Sequence, residues 1–109
     1  MIIGSYLPEQ ILDNIELSEL FPEWTPNKIE KKLGVKIRHI AAHDETALDM
    51  AYNACEKLFK SVDRSIIDYV LLCTQSPDYL LPTSACILQD RLGLRTDFGV
   101  DRIQLYKSL

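Results

Sequence analysis

The chain has 109 residues, 47% hydrophobic and 26% charged, a balance that fits one globular unit and excludes a disordered one. Its net charge of −4 gives no dominant basic face of the kind broad nucleic-acid binding needs. No apolar run approaches the roughly 18 residues of a membrane span. Ile2 and Ile3 directly follow Met1, without a basic region and a long apolar stretch, so no secretory leader and a cytoplasmic location are expected.

Ile2 to Leu7 reads as a short strand that turns at Pro8. Asp13 or Asn14 is placed to cap a short helix bearing Ile15, Leu17, Leu20 and Phe21, and Asp13-x-x-Glu16 has the form of a capping box. Pro22 stops it. Thr25-Pro26 then joins an N-cap to a proline in the first helical turn, and Gly34 stands where that helix would end. Lys28, Lys31 and Lys32 make this helix basic. Val35 to Ala41 alternates, with Val35, Ile37, His39 and Ala41 on one face and Lys36, Arg38 and Ile40 on the other, a strand pattern. Thr46-x-x-Asp49 is a second capping box. It opens the clearest helix of the chain, with Leu48, Ala51, Cys55, Leu58 and Phe59 at helical spacing.

Ile67 to Thr74 has no polar alternation, the mark of a strand covered on both faces. It is expected at the centre of a sheet, with the helices of Thr46 to Lys60 and Thr83 to Leu92 packed on it. Pro77-Asp78 and Pro82 shape the loop that follows. Thr83 caps a helix through Ala85, Leu88 and Leu92, and Gly93 is its stop signal. One more strand fits around Phe98-Gly99-Val100 or Ile103 to Tyr106. Helices alternating with strands around a buried strand give an α/β class. Few strands are available to flank that buried one, which points to a part of a larger sheet.

Cys55, Cys73 and Cys86 are odd in number, widely spaced, and each set in an apolar stretch. Reduced, buried core thiols are the expectation. His39 and His43 share no metal-ligand spacing with a cysteine pair, so no metal site is expected.

Five segments carry a family resemblance: Gly4 to Glu9 (GSYLPE), Lys32 to Ala41 (KLGVKIRHIA), Asp44-Glu45-Thr46, Thr74 to Cys86 (TQSPDYLLPTSAC) and Leu88 to Leu94 (LQDRLGL). In this order and at this spacing, over residues 2 to 101, they resemble the start of the β-ketoacyl-acyl-carrier-protein synthase III family, within the thiolase-like superfamily. The resemblance implies the N-terminal part of a thiolase-like fold, an incomplete half with a mixed sheet and packed helices, as one partial domain over residues 1–109. It implies a Claisen condensation of an acyl-coenzyme A primer with malonyl-carrier protein in fatty-acid or related biosynthesis. It also implies no bound cofactor, a homo-oligomer, and acyl carrier protein as a partner. In the family a cysteine takes the acyl group, and a histidine and an asparagine further along stabilise the enolate and oxyanion. Such chemistry needs an activated thiolate and buried donors.

The tail of residues 102–109 departs from the family motif. Aligned without a gap, Tyr106 occupies the position of the nucleophilic cysteine; with Arg102 as an extra residue, Lys107 does. Neither offers a thiol, His39 and His43 do not match the family histidine, and no catalytic residue is expected in this chain. In the helix before Gly34 the family often has an aromatic and an arginine that touch the adenine end of coenzyme A. Lys28 and Lys32 stand there, so a charge is kept and the aromatic is lost. Leu81 matches the family residue that crosses the dimer interface to close the partner's acyl pocket, and Cys86 matches a structural cysteine. Apart from the resemblance, Lys28, Lys31, Lys32, Lys36 and Arg38 read as a solvated helix face and strand edge. Two functions follow: an enzyme segment inactive by itself, or a non-catalytic dimerisation module that binds a full-length relative.

Overall fold

The computed structural model describes the backbone of residues 1–104 and the side chains of residues 1–100. Its elements in order are β1 (Gln10–Asp13), α1 (Asn14–Leu20), α2 (Pro26–Leu33), β2 (Ile37–Ile40), α3 (Ala47–Leu58), a 3-10 turn (Arg64–Ile66), β3 (Tyr69–Thr74), α4 (Ser84–Arg91) and β4 (Gly99–Gln104). They form two units: Leu7–Asp44, and Met1–Tyr6 together with the chain from Glu45 onward.

In the unit Leu7–Asp44, β1 pairs antiparallel with β2, from Gln10 opposite Ile40 to Asp13 opposite Ile37. The Asp13 carboxylate ends β1 and starts α1, accepting from the amides of Ile15 at 2.8 Å and Glu16 at 2.9 Å. Thr25 caps α2 with Pro26 in its first turn, and Gly34 closes it at φ 68, where a side chain would be strained. Asn14 is buried because both ends of its amide are used. Its Nδ2 donates to the Val35 carbonyl at 2.9 Å and its Oδ1 accepts from Arg38 Nη1 at 3.1 Å, fixing α1 to β2. His39 Nδ1 donates to the Pro8 carbonyl at 2.6 Å.

In the other unit, β3 and β4 run parallel, from Tyr69 opposite Gly99 to Thr74 opposite Gln104, with α4 as the crossover. Leu48 of α3, Leu88 of α4, and Leu92 and Leu94 form the buried core. Ala51, Phe59, Val70 and Leu72 pack against it. The capping box at Thr46 is complete: Asp49 donates its amide to Thr46 Oγ1, and Thr46 donates its amide to Asp49 Oδ2 at 2.9 Å. Gly4 lies so close to α3 that a Cβ would stand 2.7 Å from the Ala54 carbonyl oxygen.

The α/β class holds, and three expectations are corrected. Ile2 to Leu7 forms no strand, and the ladder begins at Gln10. A strand needs a neighbour's amides, and Gly4 lies instead against the helical surface of α3. Among the described residues β3 has β4 as its one ladder partner, so Tyr69 to Cys73 is not central in this sheet, and the core packs on its Val70 and Leu72 face. Tyr69 and Leu71, on the other face, are each 54% exposed. Cys73 shares their parity, so it is exposed rather than buried in the core.

Candidate functional site

The carboxyl end of β3 and the amino end of α4 border a cleft of about 110 Å³, whose lining includes Leu48, Cys73, Thr74, Ser76, Asp78 and Ser84. Ligands of open α/β sheets gather at this end of the strands. Two local hydrogen bonds build it. Thr74 Oγ1 accepts from the Ser76 amide at 3.0 Å, turning the chain out of β3, and Thr83 Oγ1 accepts from the Ala85 amide at 3.3 Å, starting α4. The cleft therefore offers hydroxyls and one carboxylate, with Cys73 at its border. Beyond it the loop carries Tyr79, Leu80 and Leu81 outward, with Leu81 84% exposed.

The three thiols stand in different settings. Burial, reinforced by the neighbouring Glu56 carboxylate, pushes the Cys55 thiol up and so disfavours thiolate. Cys86 is half-buried within α4, and Cys73 lies on the open face of β3. Both histidines belong to the unit Leu7–Asp44, whereas all three cysteines belong to the other. His39 is committed to Pro8. Among the described residues, no three side chains of metal-binding type are gathered, and no helix is long and apolar enough to cross a membrane. Tyr106 and Lys107 lie outside the described residues.

Lys28 and Lys32 stand one turn apart on α2, on the same face, and both are exposed. Lys28 is not without an aromatic. Its Nζ sits 4.5 Å from the centre of the Trp24 ring and donates to the Glu23 carbonyl at 3.3 Å. The spacing of Trp24 and Lys28, four residues, is the signal that reveals this pair. Comparison with the family position at Lys28 alone misses it.

No protein-family model matches the chain. A curated β-ketoacyl-[acyl-carrier-protein] synthase III from Methylococcus capsulatus is 41% identical over 103 residues, covering 90% of this chain and 31% of the relative. The crystal structure of a 3-oxoacyl-(acyl-carrier-protein) synthase III superposes on 95% of the chain with a TM-score of 0.87 at 50% identity. The chain matches a segment of β-ketoacyl-[acyl-carrier-protein] synthase III proteins. The Thermus thermophilus synthase III structure agrees, with a TM-score of 0.81 at 30% identity over 94% of the chain. This synthase III segment spans about a third of its relatives' length, 31% of the Methylococcus protein and 32% of each solved chain. The two units are thus a segment of a thiolase-like α/β fold.

Proposed function

We propose that this chain is a 3-oxoacyl-acyl-carrier-protein synthase III segment that does not condense an acyl thioester with malonyl-carrier protein by itself. The carrying observation is the pairing of a close backbone match with thiols in the wrong surroundings. The TM-score is 0.87 over 95% of the chain, while Cys55 is buried toward its protonated form and no thiol has an imidazole in its own unit. Attack on a thioester needs a thiolate, and the tetrahedral oxyanion needs placed donors; losing one such donor typically costs about a hundredfold or more in rate. In this reading Lys28 and Lys32 belong to the region that meets the coenzyme A end of the primer. The test is a condensation assay with acetyl-coenzyme A and malonyl-carrier protein. The chain is assayed alone and co-expressed with the remaining two thirds of a relative. No product from the chain alone is expected, and turnover by it alone overturns the reading.

One observation favours a second reading, a dimerisation module. Tyr79, Leu80 and Leu81 form an apolar tip that is 59%, 79% and 84% exposed. Three adjoining apolar side chains in water mark an interaction surface. Light scattering checks it: a dimer that Leu81→Asp converts to monomer supports the module, and a monomer at every concentration defeats it.

A further inference from the structure

We infer that Arg95 is a salt-sensitive clasp that holds the amino end of β4 onto β3. Arg95 lies in the connection between α4 and β4. Its guanidinium uses all three nitrogens: Nε donates to the Ile67 carbonyl at 3.2 Å, Nη1 to Asp97 Oδ2 at 3.1 Å, and Nη2 to Asp68 Oδ1. The same group rests 5.4 Å from the centre of the Phe98 ring. Ile67 and Asp68 immediately precede β3, and Asp97 and Phe98 immediately precede β4. One side chain thus ties together the starts of both strands.

The backbone of Arg95 is itself fixed. Gln89 of α4, 8% exposed, donates its side-chain amide to the Arg95 carbonyl at 2.8 Å, which gives that buried amide its partner. The clasp is therefore anchored to the helix that crosses between the strands. At the first pair of the ladder, Tyr69 opposite Gly99, β4 has no side chain to fasten itself with. The Tyr69 ring stands 2.7 Å from where a Cβ of Gly99 would be. Arg95 supplies the hold that this pair lacks, and its flat fork of donors suits acceptors on both strands as a compact ammonium does not. The Asp68 and Asp97 side chains are 84% and 69% exposed, so dissolved ions reach both and screen the clasp.

Amide hydrogen exchange of the full chain, read peptide by peptide by mass spectrometry, tests this. In Arg95→Ala, exchange over residues 100–104 should rise about three- to tenfold, while peptides containing Leu48 or Leu88 change by less than about twofold. Arg95→Lys keeps the charge without the fork and should restore only part of the protection. Raising NaCl from about 0.1 M to about 1 M shortens the screening length from about 10 Å to about 3 Å. That change should speed exchange in β4 of the parent chain, relative to the leucine cluster, and leave β4 of Arg95→Ala unaffected. Unchanged β4 exchange in Arg95→Ala overturns the proposal. So does an equal rise across the leucine cluster, which would reduce Arg95 to a contributor to overall stability, or a salt response that survives in Arg95→Ala.

Discussion

Arg91 Nη1 donates to Asp49 Oδ1 at 2.7 Å, joining the last turn of α4 to the first turn of α3 across 42 residues of sequence. The other oxygen of the same carboxylate accepts from the Thr46 amide at 2.9 Å and its hydroxyl at 3.0 Å. One side chain thus starts α3 and ties α4 to it. The Arg91 guanidinium also rests 4.5 Å from the Tyr52 ring centre, so the arginine is held from two sides.

This arrangement gives the chain a pH dependence. The Thr46 backbone amide, followed by Arg91, holds the Asp49 carboxyl below the ordinary carboxylate value. A folded-state value below the unfolded one means the unfolded chain binds more protons, so stability rises with pH through this window. The contribution is fully present above the unfolded value of about 3.9 and is lost as pH falls through the folded one. Both partners are about a third exposed, so the ion pair itself contributes no more than about 1 kcal/mol. The thermal midpoint is expected to fall on acidification below about pH 5. Asp49→Asn should lower the neutral-pH midpoint and flatten that slope. An unchanged slope in Asp49→Asn would remove Asp49 from the account.

Core and tip should separate cleanly in denaturant titrations. Leu88 is 4% exposed at the centre of the leucine cluster, so Leu88→Ala is expected to cost about 2–5 kcal/mol. Leu81 is 84% exposed, and Leu81→Ala should change stability by no more than about 0.5 kcal/mol. Equal losses at the two positions would mean that the leucine cluster is not what holds this unit together.

Backbone geometry sets a third expectation. Gly34 ends α2 in the left-handed region at φ 68, with nothing near its Cβ position, so Gly34→Ala should cost about 1–2 kcal/mol through backbone conformation alone. Gly34→Asn should recover part of that loss, because asparagine tolerates this conformation better. Equilibrium unfolding of the three proteins measures it, and a neutral Gly34→Ala would contradict the assigned cap.

The caps were legible in the sequence because their chemistry is local. Thr25, Thr46 and Thr83 announce helix starts, Gly34 and Gly93 announce stops, and each acts within about one turn of its own position. Coverage of β3 was not. An apolar run such as Tyr69 to Cys73 reads the same whether both faces are packed or only one, since what lies on the second face is decided by residues distant in sequence. Ile2 and Ile3 misled for a related reason: apolar, β-branched residues suit a strand, but only a partner's amides make one. Family resemblance pointed to Lys28, Lys32 and Leu81, while the contact of Lys28 with the Trp24 ring is legible from their four-residue spacing and not from the resemblance.

Intact mass of the purified chain after incubation with acetyl-coenzyme A tests the central claim, that none of its thiols is built to take an acyl group. Thioester attack requires a thiolate in an accessible, electropositive setting; burial disfavours thiolate at Cys55, and on the proposed reading neither Cys73 nor Cys86 takes an acyl group. The account predicts an unchanged mass. A stoichiometric acetyl adduct mapped to Cys55, Cys73 or Cys86, with 3-oxoacyl product on adding malonyl-carrier protein, would contradict it.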